Sequence, residues 1–169
     1  MDSSSEAATK PARRKLAILI GIDQYQGDIP KLQSAVRDVR AVAQVLRELH
    51  GYETRCIEDS QATLQSLRQL LRELATQVAR DDQLLLYFAG HGVADSVGEA
   101  SERPSVPRGF LIPADARRES VDSFLPMEEL RAAIDKLACI HVLLCLDCCF
   151  AGAFRWSMSR DLRVVRRTL

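Results

Sequence analysis

The chain has no apolar run approaching the ~20 residues that a membrane-spanning helix requires, and nothing in its 169 residues reads as such a segment. Its start, Met1-Asp-Ser-Ser-Ser-Glu6, is polar and lacks the apolar centre of a secretory signal. It also lacks an excess of either charge, since 23 basic and 23 acidic side chains cancel. That removes the usual reason to expect a nucleic-acid or membrane-surface partner. Internal repeats are absent. The five cysteines (Cys56, Cys139, Cys145, Cys148 and Cys149) are odd in number and two of them are adjacent, which suits neither a disulfide framework nor a metal knuckle. Free thiols in a reducing, cytoplasmic compartment are expected instead.

What is present is a composition of 47% hydrophobic and 27% charged residues, that of one soluble globular domain. Residues 1–14 read as a flexible leader. Lys15 to Ile22 is an apolar run of strand length, followed by a loop to Pro30. From Leu32 the apolar spacing turns helical and Gly51 stops it. A short strand over Tyr52 to Glu58 follows, and Asp59 or Ser60 is expected to cap the next helix, whose apolar face runs from Leu64 to Val78. Leu84 to Phe88 is a second buried strand. Residues 94–108 read as a long loop, and Gly109 to Asp115 as a short edge strand stopped by Pro113. Met127 to Leu137 is a helix and Cys139 to Asp147 the last strand; residues 155–169 are rich in arginine. Strands alternating with helices predict an α/β fold with a mostly parallel sheet.

Two strand ends carry chemistry. Leu84-Leu-Leu-Tyr-Phe-Ala-Gly-His-Gly92 delivers a histidine between two glycines, and Val142 to Cys149 delivers a carboxylate and thiols. The other two histidines are given structural roles: His50 at a helix end, His141 inside the last strand. Alternation puts Cys145, Asp147 and Cys149 on one side of the last strand and Cys148 on the other. Cys145-Leu-Asp-Cys148 is formally a redox spacing, but its first thiol lies within a strand rather than at a helix start. Cys56, Cys139 and Cys145 read as small buried hydrophobes. In open parallel sheets, sites form beyond the carboxyl ends of the strands. The first strand, the histidine strand and the cysteine strand all end there, so a cysteine–histidine pair is the leading reading.

Tyr87-Phe-Ala-Gly-His-Gly92 and Leu146-Asp-Cys-Cys-Phe-Ala-Gly152 resemble the histidine and cysteine motifs of caspase-like cysteine peptidases (family C14), with the closer likeness to metacaspases and their bacterial relatives. Ala17-Ile-Leu-Ile-Gly-Ile22 and Gly109-Phe-Leu-Ile-Pro-Ala-Asp115 resemble further blocks of that family, in the same order, and the likeness covers about Lys15 to Phe154. The resemblance implies a three-layer sandwich. It implies Cys149 as nucleophile, His91 as general base and acid, and the backbone N–H groups of Gly92 and Cys149 as an oxyanion hole. It also implies cleavage after arginine, with lysine as a second candidate, in a pocket built from Asp38, Asp147 and the position of Ala89. Ala89 stands where the family often has serine, and Phe150-Ala151 where it often has His-Ser.

Only 20 residues follow Cys149, whereas the family's domain continues with further strands. The expectation is therefore a catalytic portion over residues 15–154 that lacks the C-terminal strands, completed by a C-terminal small subunit, and an arginine-rich linker over 155–169. An arginine-directed enzyme would process itself there, at Arg155, Arg160, Arg163, Arg166 or Arg167, as a zymogen. Protein or peptide substrates are implied, in regulated proteolysis during stress, defence or cell death. No cofactor is required; some metacaspases depend on calcium, but no ordered acidic loop here clearly supplies a site. The alternative reading is a catalytically silent caspase-like scaffold that binds partners.

Overall fold

The computed structural model describes residues 13–95 and 108–149. Residues 1–12 of the leader, residues 96–107 and all of the arginine-rich tail lie outside the described residues. Four parallel strands form the central sheet in the order β2-β1-β3-β7: β1 (Lys15–Gly21), β2 (Glu53–Glu58), β3 (Gln83–Ala89) and β7 (His141–Asp147). Helix α1 (Ala35–His50) covers one face; α2 (Leu64–Gln77) and α3 (Met127–Ile134) cover the other.

Alternation along the strands makes these layers. In β1, Ile18 joins Leu67, Leu70, Leu74, Leu84, Leu86 and Leu130 in the larger core. Its neighbours Ala17 and Leu19 join Val39, Ala43, Leu85 and Ala89 under α1. Ile18, Leu19, Leu67 and Val39 are fully buried, each contributing roughly 1.5–3 kcal/mol of apolar burial. Gly21 lets α1 come close: a Cβ there would lie 2.9 Å from both the Ala35 carbonyl oxygen and Val39 Cγ2. The first turn of α1, with Asp38, is thereby held against the carboxyl end of the sheet.

A second sheet is small and antiparallel, in the order β4 (Gly92–Asp95), β5 (Arg108–Leu111), β6 (Leu125–Pro126). The segment expected as an edge strand is therefore a middle strand, paired on both sides. Pro113 still ends it, but two residues beyond the last pairing. Other boundaries move for local reasons. Helix α1 begins at Ala35 rather than Leu32, because the Asp23 carboxylate accepts from the N–H groups of Ala35 (2.9 Å) and Val36 (3.3 Å) and sets the first turn there. Asp59 to Gln61 forms a 3-10 turn, and Thr63 caps α2 by accepting from Ser66 N–H at 3.1 Å. Neither Asp59 nor Ser60 does. Helix α3 stops at Ile134, with the chain turning through Leu137. His141 is the first residue of β7 and exposed, not an interior strand residue.

Candidate active site

Parallel pairing aligns Gly21, Ala89 and Asp147 as one row across β1, β3 and β7. The ladder closes beyond that row with Ile22 N–H donating to Ala89 (3.1 Å) and Gly90 N–H donating to Asp147 (3.2 Å). His91 and Cys149 are thus each two residues past paired positions of adjacent strands. Gly92 packs against the backbone of Cys149: a Cβ at Gly92 would overlap the Cys149 carbonyl oxygen and lie 3.0 Å from Cys148 Sγ. Only glycine fits there. The two motifs separated by 57 positions therefore meet backbone to backbone.

His91 is anchored on several sides. Its N–H donates to Tyr25 Oη at 2.8 Å, and its carbonyl accepts from Ile112 N–H at 3.0 Å. Its ring lies 4.9 Å from that of Tyr25, tilted by 44°. Nε2 is 2.8 Å from the Pro30 carbonyl oxygen. A carbonyl only accepts, so Nε2 carries the hydrogen and Nδ1 is the ring nitrogen left to act as a base.

The loop that supplies Tyr25 and Pro30 is itself tied down. Asp59 Oδ1 accepts from the N–H groups of Asp23 and Gln24, both at 2.8 Å, and Gln26 N–H donates to Ala114 at 2.9 Å. Asp59 does this from a left-handed backbone (φ 44°), a conformation that aspartate tolerates better than most residues. Tyr25 is buried, and burial pushes its phenol up, with the donated His91 N–H pulling the other way. It stays protonated. Gly90 is needed for this contact, because a Cβ there would stand 2.7 Å from Tyr25 Oη.

The cysteines divide by face. Val142, Leu144, Leu146 and Cys148 pack into the larger core, and burial pushes the Cys148 thiol up to about 12, with Cys149 and Asp147 adding to the rise. Cys148 is a neutral thiol at physiological pH. Burial also raises Cys145 and Cys56, while Cys139 is buried and donates to the Asp82 carbonyl at 2.9 Å. Cys149 alone among the described cysteines is exposed.

The opposite face of β7 turns toward the α1 side. There Tyr87 Oη donates to Asp147 Oδ2 at 3.1 Å. Burial raises the Tyr87 phenol, and the charge of Asp147 and its hydrogen bond, then the charge of Asp38, raise it further. Asp38 has a loose 3.6 Å contact with the exposed Arg37, whereas Arg40 forks onto Glu58 (Nε to Oε1 2.9 Å). Neither arginine neutralises Asp38 tightly. Ala89 is buried under α1, in register with Asp147. Among the described residues, no cluster of three or more histidine, cysteine or acidic side chains could hold a metal ion, and no helix is long and apolar enough to cross a membrane. Phe150 and the arginines from Arg155 onward lie outside the described residues.

Sequence reasoning missed Tyr25, the Pro30 carbonyl and Tyr87. Tyr87 was reachable, since alternation places it on the face of Ala89. Tyr25 and Pro30 meet His91 across more than 60 positions, and no local spacing announces that.

Known proteins resemble this chain. The chain is 26% identical over 148 residues to Metacaspase-4 of Arabidopsis thaliana, covering 82% of this chain and 34% of the relative. It is 23% identical to Metacaspase III c of Phaeodactylum tricornutum, over 80% of this chain and 42% of the relative. The chain thus spans less than half the length of these relatives. A solved structure of a Geobacter sulfurreducens protein superposes with a TM-score of 0.62 at 18% identity, covering 79% of this chain and 48% of that one; this likeness concerns the fold. The family model described as caspase domain matches residues 14–163, and the chain belongs to that C14 peptidase family, with metacaspase-like relatives.

Proposed function

We propose that the chain is the catalytic portion of a cysteine endopeptidase that cleaves after basic residues. The observation that carries the reading is the meeting of the two motifs: Gly92 is packed on the backbone of Cys149, the exposed thiol, while Pro30 holds the His91 ring by Nε2. His91 takes the Cys149 proton as the sulfur bonds to the scissile carbonyl carbon. The N–H groups of Gly92 and Cys149 receive the oxyanion. The C–N bond then breaks as His91 returns the proton to the departing amine, leaving a thioester that water hydrolyses with His91 as base.

Asp147 and Asp38 supply the recognition of a basic side chain ahead of the cut. Two carboxylates on one face match the fork of a guanidinium and exclude an acidic side chain. Tyr87 orients Asp147 within that pair. A C-terminal small subunit adds to the sheet at β7, its edge among the described residues, where Leu143 is 37% exposed. Activation proceeds by cleavage in the arginine-rich segment, which intact-mass comparison of the active chain with Cys149→Ala tests.

The deciding assay is turnover of arginyl, lysyl and aspartyl fluorogenic peptides, with the C-terminal subunit supplied. Arginyl cleavage that is lost in both Cys149→Ala and His91→Ala is expected. Cleavage after aspartate, or activity that survives both substitutions, overturns the assignment.

A further inference from the structure

A cleft opens beside the candidate site with His91 in its lining, whereas Asp147 and Tyr87, the pair on the carboxylate face, are not part of that lining. Ile29, Pro30, Val93, Ile112 and Phe124 supply its apolar lining. Ile112 and Phe124 are buried, whereas Val93 is 36% exposed, so the cleft is apolar and open to solvent. Arg118, an exposed cation, also lines it. The cleft is built from fixed parts: Pro30 holds Nε2 of the ring, and Ile112 N–H holds the His91 carbonyl.

A histidine that protonates the departing amine must touch the nitrogen of the residue after the scissile bond. If the basic residue ahead of the bond occupies the carboxylate side, the chain beyond the bond leaves past the imidazole, into this cleft. We propose that the cleft is the subsite for the leaving side of the substrate. It takes a bulky apolar side chain, such as leucine or phenylalanine, immediately after the cut. Arg118 favours a carboxylate on the residue that follows. This inference rests on the peptidase reading, and it adds a second recognition element that selects what comes after the basic residue.

The test uses internally quenched peptides with a common sequence up to the arginine. The next two positions are Leu-Glu, Phe-Glu, Gly-Glu or Leu-Lys, and the full chain with its C-terminal subunit is assayed. An arginyl aminocoumarin amide, which has no residue after the bond, reports on the peptidase reading alone. Leucine and phenylalanine are expected to exceed glycine by about tenfold in kcat/KM, the scale of a partly open apolar pocket. Val93→Asp should bring that ratio close to one, and Arg118→Glu should invert the preference for glutamate over lysine.

Equal turnover of the leucine and glycine peptides, with the aminocoumarin amide cleaved, overturns the subsite and leaves the peptidase reading standing. The Cys149→Ala chain gives a readout independent of chemistry. Fluorescence polarisation should show it binding the Leu-Glu peptide about tenfold more tightly than the Gly-Glu peptide. Equal affinities overturn the proposal, whether or not the aminocoumarin amide is cleaved.

Discussion

Replacing Tyr25 by phenylalanine removes one oxygen from behind His91. The ring contact at 4.9 Å can persist; what disappears is the acceptor 2.8 Å from the His91 N–H. A part-buried donor left unpaired costs about 1–3 kcal/mol. The unfolding free energy obtained from urea titration should fall by an amount within that range. The backbone that must relax to recover a partner is the one carrying the imidazole, and misplacement of a reacting group by ~1 Å costs on the order of a hundredfold. A fall in kcat of about ten- to hundredfold is expected, equivalent to about 1.4–2.7 kcal/mol, with KM little changed, since Tyr25 does not border the carboxylate face. The assay is arginyl aminocoumarin turnover with kcat and KM resolved. Gly90→Ala attacks the same contact from the other side, because its Cβ would stand 2.7 Å from Tyr25 Oη. Once that oxygen is gone, the nearest contacts given by the structure are to Phe88 ring atoms at 3.1 and 3.2 Å, which are less severe. The double variant should therefore lose less than the two single losses together, by about 0.5–3 kcal/mol. A Tyr25→Phe enzyme that loses stability and keeps kcat within twofold would show that Tyr25 merely fills the core, and the positioning role would be refuted.

Cys149→Ala should abolish turnover, whereas Cys148→Ala should keep it and cost about 1 kcal/mol of stability; the reverse pattern in a peptide assay would exchange their roles. Tyr87→Phe should raise KM for arginyl peptides about fivefold while kcat holds, because it removes the hydroxyl that orients Asp147. An unchanged KM would make that hydrogen bond incidental. Asp82 accepts from Arg14 Nη2 (2.7 Å) and from the N–H of Ala79 (2.9 Å), and these bonds, Arg14 first, hold its carboxyl below the ordinary 3.8. A carboxyl depressed by folding stabilises fully above its unfolded value, and that stability is lost as the pH falls from about 3.8 through the lower folded value. Urea midpoints should drop over that window in the wild type and less steeply in Asp82→Asn; parallel curves would remove Asp82 from the acid response.

Strands β1 and β3 were legible because burial on both faces leaves an unbroken apolar run of strand length, as in Leu84 to Phe88; β7 was legible from the apolar run Val142 to Leu146, although one of its faces stays exposed. The division of cysteines in β7 was legible because side-chain direction in a strand has a period of two. What escaped was set by distant partners. Leu32 fits the apolar spacing of α1, yet the helix starts where the Asp23 carboxylate meets two N–H groups. Asp59 looks like a cap for α2 by position, but its carboxylate is spent on the loop of Asp23 and Gln24, so the role falls to Thr63. Phe110 and Leu111 resemble an edge strand because their partners, Val93, Gly92, Pro126 and Leu125, are remote or too short to read as strands. At the candidate site, the motif residues could be picked out by type, while their supports could not. Tyr25 is one aromatic among loop residues until the fold sets it against His91.

The contrast between the adjacent cysteines is a consequence of core packing. Val142, Leu144, Leu146 and Cys148 enter the larger core, whereas Asp147 and Cys149 are exposed. A shift of one residue in the pairing of β7 with β3 would send each side chain to the other face. Cys149 would then enter the core beneath the sheet, Cys148 would stand exposed, and Asp147 would be buried away from Tyr87. Three aliphatic side chains oppose that shift, each worth roughly 1.5–3 kcal/mol when fully buried, and the burial of an aspartate in their place adds to the cost. The thiol that is free to react is therefore chosen several residues upstream, by Val142, Leu144 and Leu146. Substituting Leu144 by aspartate should for the same reason lower activity and stability together, although it lies five residues from Cys149, because it removes the apolar hold on the register that keeps Cys149 out of the core.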